Sequence, residues 1–359
     1  YYFMTPTLLF SLVMTLIVSL AVGFSVYPLI IKISYKKKFF KASNKRTVHG
    51  KFVSTFGGIG IVFGFIMGAI LGSIALKNVI DVNELYGLIF PVLLVFMLGI
   101  WDDLAALKSY EKLLLQSISA IAMMGLLDLA IIDLNGLFGI HELPQALGYG
   151  LTFLIIVGLL NAVNLLDGID GYAGSYLVLL SAFMLLQGYM LDHPFLMILA
   201  IATTGALLPF LYYNMYHKRK LFMGDSGSLV LGLLAGYFVL ENFHLQNEVS
   251  VNFNHPIVLL LSLAALPLID TVRVVVVRLS KGLGPFSPDK NHIHHCYLAM
   301  GLTHNQTTFI VMELTVALWL FTYWLDFLPL HYHFLATLAV ALGLYLGPIL
   351  VYRLKKSYF

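Results

Sequence analysis

Residues 84–103 read ELYGLIFPVLLVFMLGIWDD, an apolar run from Leu85 to Trp101 closed by two adjacent carboxylates, Asp102 and Asp103. At 1.5 Å per residue a run of about this length approaches the roughly 30 Å of hydrocarbon in a bilayer. The pattern recurs along the whole chain. Apolar windows between polar breaks lie at about 7–32, 53–76, 84–101, 112–132, 145–162, 173–191, 194–214, 227–243, 255–279, 307–325 and 332–352. They predict an all-α, polytopic integral membrane protein with ten or eleven transmembrane helices. Composition agrees, because 60% hydrophobic and 11% charged residues among 359 lie far outside the globular range. Windows this closely spaced leave no room for a soluble domain, so residues 1–359 are read as one transmembrane catalytic domain.

The first apolar run is too long for a signal-peptide core and lacks a small-residue cleavage site, so it is read as a retained span. The single cysteine, Cys296, excludes an internal disulfide framework and reads as a small half-buried residue. Orientation follows from Lys and Arg, which are retained on the cytoplasmic side of short loops. Of the 21 Lys and Arg residues, only Lys77 falls on one set of alternate breaks, and the others fall on or beside the second set. The N-terminus is therefore expected outside and the C-terminus in the cytoplasm. The cytoplasmic loops are then about 33–52, 102–112, 161–173, 214–227 and 279–306. Their basic character suits anionic headgroups and phosphorylated substrates, although topology alone accounts for the run Lys36 to Lys38. Nucleic acid is not expected, since the basic residues sit at the membrane surface in short loops.

Groups with chemical potential collect in the same loops. Asp102 and Asp103 repel one another at a membrane boundary. A divalent cation, a nearby Lys or a shared proton would offset that, and the plain reading is a helix cap. In residues 161–171, NAVNLLDGIDG, Asn164, Asp167 and Gly171 recur at helical spacing and Asp170 follows Asp167 by three. Amide and carboxylate oxygens of this kind suit Mg²⁺ or Mn²⁺ better than zinc; the alternative is a polar turn at a span end. Residues 224–228, GDSGS, stand directly before a span, where backbone N–H groups and the helix dipole favour phosphate, and a plain capped helix start reads the same way. Asp225 makes sense there as a metal ligand beside a diphosphate. His292, His294 and His295 follow residues 285–291, PFSPDKN, and fit donors to diphosphate or sugar oxygens better than a zinc site. Asp270 and Arg273, at i and i+3 inside a span, could neutralise one another and are read as structural.

Together and in this order, these motifs resemble the polyprenyl-phosphate N-acetylhexosamine-1-phosphate transferases. The resemblance covers essentially the whole chain, including Arg46-Thr47-Val48-His49 and Gly57-Gly58. Within the family it is nearest the undecaprenyl-phosphate N-acetylglucosaminyl-1-phosphate branch. The cousin phospho-N-acetylmuramoyl-pentapeptide transferases carry three consecutive His, where this chain has His292-Ile293-His294-His295. The resemblance implies transfer of N-acetylhexosamine-1-phosphate, most simply GlcNAc-1-phosphate, from a UDP-sugar to undecaprenyl phosphate at a bacterial inner membrane. The products are polyprenyl-diphosphate-sugar and UMP, and a homodimer is left open. It implies Mg²⁺, with Mn²⁺ as a substitute, held by Asp225 with Asn164 as a second ligand. Catalytic carboxylates would be Asp102 or Asp103 toward the lipid phosphate and Asp167 and Asp170 along the nucleotide-sugar pocket. Substrate contacts would come from Lys45, Lys112, Asn161, Gly224, His292, His294 and His295. Direct attack by the lipid phosphate and a covalent intermediate on Asp102 or Asp103 are both open at this level. A transporter is the principal non-enzyme reading. It is disfavoured because the polar clusters lie at span ends on one side and not at mid-depth.

Overall fold

The structure, a computed structural model, describes residues 5–37, 54–249, 253–284 and 292–357. Lys45, the segment 46–49 and residues 285–291 lie outside them, so those expectations have no structural counterpart. Among the described residues the chain forms twelve α-helices, a π-helical turn and one two-stranded hairpin. Ten of the helices are long and apolar enough to cross a membrane.

α1 (Pro6–Lys37), α2 (Gly57–Ile74) and α7 (Pro194–Leu211, prolonged by the π-helical turn Tyr212–Tyr216) pack together on one side. α3 (Val82–Ala105) and α4 (Ser109–Leu127) form a hairpin, and α5 (Gln145–Leu166) and α6 (Tyr172–Met190) follow. α8 (Asp225–Val249) lies at the centre, against α2, α3, α5, α6 and α9 (Pro256–Ser280). A helix apolar on every side is stable only when surrounded. Accordingly 94% of the apolar window of α8 is buried, against 22% for the outer helix α12 (Leu330–Ser357). α10 (Ile293–Ala299) and α11 (His304–Trp324) complete the fold. Exposed Phe10, Met97, Ile121, Leu320 and Leu335 form an apolar outer surface, which lipid solvates and water would not.

The expected span at 112–132 corresponds to α4, which is not among the ten apolar helices. It nevertheless runs the length of the bundle, starting beside Asp225 and ending with Leu127 against Gly87 near the start of α3. Its apolarity is diluted because its first turns carry Ser109, Lys112 and Gln116 toward a polar cavity and Glu111 back to the Lys108 N–H. The loop expected around Asp133 to Pro144 instead contains the hairpin of β1 (Asp133–Leu137) and β2 (Ile140–Glu142), turned by Phe138 and Gly139 at positive φ, with Asn135 and Gly136 also at positive φ where β1 departs from regular pairing.

The start of α8 is fixed in depth by close backbone packing. A Cβ on Gly99 of α3 would lie 2.3 Å from the Ser226 Cα, so only glycine lets α3 approach here. On the other flank Phe222 N–H donates to the Ser54 carbonyl at 2.8 Å and Gly57 N–H to the Phe222 carbonyl at 2.9 Å. This strand-like pairing holds the segment that leads into Asp225.

Candidate active site

The end of α3, the start of α4, the end of α5 and the start of α8 meet at one end of the bundle. Asp102, buried at 4% exposure, accepts the Leu107 N–H at 2.7 Å through Oδ1 and forms an ion pair with Lys112 through Oδ2. Lys112 also reaches Asp225 Oδ2 at 3.0 Å, and the Asp102 and Asp225 carboxyl groups lie close enough to influence one another. One ammonium thus bridges two converging carboxylates. Asn164 donates through Nδ2 to Asp225 Oδ1 at 2.8 Å and to Ser228 Oγ at 2.7 Å. Asp103 points another way, its two oxygens accepting the Asp225 and Ser226 N–H groups at 3.1 Å each. It caps α8 from a different helix, satisfying donors that the helix cannot satisfy itself. Gly224 precedes them at φ +74°, and a Cβ there would lie 2.1 Å from the Thr55 carbonyl oxygen and 2.6 Å from Asp103. No other residue fits that position.

A cavity of about 530 Å³ opens beside this cluster, lined by Lys112, Asn164, Asp167, Asp225 and the three histidines. A second, of about 260 Å³, shares Asp167, Gly168 and Asp225 with it and extends to Asp103 and Asp170. Asp167 stands between them. Burial, then the charges of Asp225, Asp103 and Asp170, hold its carboxyl well above the usual carboxylate range. Burial also works to raise Asp170, but hydrogen bonds and charge from His304 and Lys220 outweigh it and leave that carboxyl below its ordinary value. Asn161, deeper in α5, also lines the larger cavity, in an amide pair with Gln116 at 2.9 Å.

The histidines are held from the α9 side. His292 Nδ1 lies 2.8 Å from Asp270 Oδ2, and Asp270 Oδ1 accepts the Tyr345 hydroxyl at 2.6 Å and the Ile293 N–H at 3.1 Å. The rings of His292 and His294 stack 5.6 Å apart, with His295 4.3 Å from His294. Burial, then the neighbouring His295, lowers the His294 pKa to about 3, so this imidazole is neutral at physiological pH. Its Nδ1 is buried without a hydrogen-bond partner.

Residues 85–242, which carry Asp102, Asp103, Lys112, Asn164 and Asp225, match the family model described as glycosyl transferase family 4. The chain is 31% identical over 304 residues to a Bacillus subtilis (strain 168) protein named probable undecaprenyl-phosphate N-acetylglucosaminyl 1-phosphate transferase, covering 84% of this chain and 81% of the relative. It is 31% identical over 295 residues to the Escherichia coli (strain K12) undecaprenyl-phosphate alpha-N-acetylglucosaminyl 1-phosphate transferase, and 29% to its Yersinia pestis namesake, covering 80% of this chain and 76% of each. The chain belongs to glycosyl transferase family 4. It is an enzyme, a phosphosugar transferase of the multi-pass membrane kind.

Of the residues singled out in the transferase sequence, Asp102, Lys112, Asn164, Asp167, Asp225, His292, His294 and His295 gather at or beside the larger cavity. Asp103, Asp170 and Gly224 face the smaller one. The sequence spacing suggests Arg273 as the partner of Asp270. The structure ties it to His292, while Arg273 reaches the Tyr345 hydroxyl at 3.3 Å. Arg278, only 6% exposed, lines the larger cavity, whereas its sequence position at a span end signals only membrane topology. Lys220 and His304, the partners of Asp170, carried no local signal beyond their polarity.

Proposed function

We propose that this transferase moves N-acetylhexosamine-1-phosphate, with GlcNAc-1-phosphate as the specific group, from a UDP-sugar to undecaprenyl phosphate, releasing UMP. The reaction takes place on the cytoplasmic face of a bacterial inner membrane, as the first membrane step of a cell-surface polysaccharide. The observation that carries this reading is Lys112 between Asp102 and Asp225, at the wall of a cavity that also holds three histidines. Anionic and cationic groups of this density, at the end of an apolar bundle, suit a substrate with a diphosphate head and a lipid tail. Leu113, Leu165 and Val275 line the same cavity and offer the tail an apolar wall.

The residues fit a divalent cation. Asp225 and Asp102 converge closely enough to need a positive charge between them, and Asp167 feels the charges of three other carboxylates. The side chains that converge on Lys112, those of Asp225, Asp102 and Asn164, offer oxygens, which favours Mg²⁺, with Mn²⁺ as a substitute. Asp225 would hold it with Asn164, whose amide would turn to present Oδ1. When bound, it would neutralise charge on the donor diphosphate.

Phosphoryl transfer depends mainly on positioning and charge neutralisation. Lys112 and Arg278 supply positive charge to phosphate oxygens, and His292, His294 and His295 supply hydrogen bonds. Asp103 holds the start of α8, and through it Asp225, at a fixed depth. Both Asp103 oxygens are engaged by backbone N–H groups and Asp102 is buried beneath Lys112, which supports direct attack by the lipid phosphate over a phospho-sugar carried on either carboxylate. Purified protein supplied with undecaprenyl phosphate, Mg²⁺ and a panel of UDP-sugars should release UMP with UDP-GlcNAc. No UMP from any donor would overturn the reading, and UMP exchange without lipid would overturn the direct route.

A further inference from the structure

At the end of the bundle opposite the Asp225 cavity, His255 at the start of α9, Asp326 in the turn after α11 and His333 of α12 converge. One ring nitrogen from each His and one carboxylate oxygen lie within 4.8 Å of one another. The hydrogen bonds decide which nitrogen of each ring keeps a lone pair for an ion. His333 Nε2 lies 2.9 Å from the Thr322 carbonyl and His255 Nε2 lies 2.9 Å from the Leu328 carbonyl. A carbonyl only accepts, so in each ring Nε2 carries the hydrogen and Nδ1 is a bare lone pair. His333 is fully buried, and its Nδ1 has no hydrogen-bond partner. The two rings stand 5.4 Å apart at 61°. Asp326 is fixed by the Asn254 N–H, 3.1 Å from Oδ1 and 3.0 Å from Oδ2, and by the Asn254 Nδ2 at 2.9 Å. These bonds leave the carboxylate lone pairs to spare.

We propose that His255, Asp326 and His333 form a Zn²⁺ site that ties the start of α9 to the turn between α11 and α12. Metal-bound histidines commonly donate their second nitrogen to a backbone carbonyl, which fixes the tautomer and aims the ring. Both histidines here are already so arranged. Two imidazoles and one carboxylate suit Zn²⁺ and leave a fourth position for water, whereas Mg²⁺ prefers oxygen ligands. Ligands of a tetrahedral zinc stand about 3.4 Å apart at zinc–ligand distances of about 2.0–2.1 Å, so side-chain shifts of about 1 Å complete the site. His255 and Asp326 are half-buried, which leaves a path for the ion from the surface. A comparable group, Glu84, His193 and Glu241, lacks the feature that decides the case. His193 Nδ1 accepts the Leu196 N–H at 3.2 Å, so its Nε2 carries the hydrogen and that ring has no lone pair to offer. The proposed site stands apart from catalysis, since α9, with 25 residues, places roughly 37 Å between its ends.

Full-length protein in detergent, stripped with chelator, reloaded with Zn²⁺ and passed through gel filtration, should retain one equivalent by elemental mass spectrometry. Co²⁺ should give visible absorption of a four-coordinate site. His255→Gln and Asp326→Asn, both at half-buried positions, should each lose the equivalent and the Zn²⁺-dependent rise in unfolding temperature. Their metal-free unfolding midpoints serve as the folding control. His295→Gln, in the catalytic cavity, should retain the equivalent. Absence of zinc from the wild type, or retention by both His255→Gln and Asp326→Asn, would overturn the site. Loss in His295→Gln alone would assign the ion to the catalytic histidines and overturn it equally.

Discussion

Asp103 accepts the backbone N–H of Asp225 at 3.1 Å, so the carboxylate at the end of α3 caps the helix that Asp225 begins. The adjacent Asp102 turns to Lys112, so neighbouring residues of the same type take separate roles. Removing the cap should loosen the first turn of α8. Asp103→Ala is expected to lose about 1–2 kcal/mol of stability, with Asp103→Asn intermediate because its amide keeps one acceptor oxygen. Thermal unfolding in detergent checks the order. An unchanged midpoint in Asp103→Ala would refute the capping role.

The Lys112 ammonium occupies the space between Asp102 and Asp225 that a cation would also favour. Lys112→Met should therefore destabilise the metal-free protein by less than the ~3–5 kcal/mol of a fully buried broken pair, because Lys112 is only half-buried. Added Mg²⁺ should restore more stability to the variant than to the wild type. Thermal shift against Mg²⁺ concentration measures both. Equal Mg²⁺ shifts would show that the ammonium and the ion do not share these carboxylates.

The apolar runs were legible as helices because span length and hydropathy are local properties. Pairing was not, because it is decided by residues far apart. The spacing of Asp270 and Arg273 offered a partner three residues away, yet Asp270 pairs with His292, 22 residues on. Nothing near Asn164 announces Ser228, and nothing near Asp170 announces Lys220. α4 illustrates the converse: the window 112–132 was legible as a span, but not that its first turns line a polar cavity, which leaves it less apolar than the ten membrane-length helices. The adjacent carboxylates 102 and 103 were recognisable as unusual. Their division into an ion pair and a cap depends on where α8 starts.

His294 stays neutral because burial lowers its pKa from 6.5 to about 3. The unfolded chain takes up a proton below pH 6.5 while the folded protein does not, so this stability is present above pH 6.5 and is lost as the pH falls toward 3. The loss approaches about 1.4 kcal/mol per pH unit within that window. His294→Gln removes the titrating group, so its stability should fall less steeply than that of the wild type between these limits. Parallel unfolding curves across the range would show that His294 is not buried as a neutral imidazole.

Asp270 binds His292 on one oxygen and Tyr345 and the Ile293 N–H on the other, so it acts through the histidine and not on substrate. Asn in its place can present an N–H to His292 Nδ1, which reverses the tautomer and changes what the ring offers the cavity. Partners that orient a working histidine commonly contribute 10–100-fold to activity, and Asp270→Asn should lose kcat/KM within about that range. Tyr345→Phe removes one of the three bonds to Asp270 and should lose less. If His292 contacts the donor in the ground state, the KM for the proposed UDP-sugar donor rises with little change in kcat; if only in the transition state, kcat falls alone. A lowered unfolding midpoint with both constants unchanged would instead make the Asp270 contact purely structural.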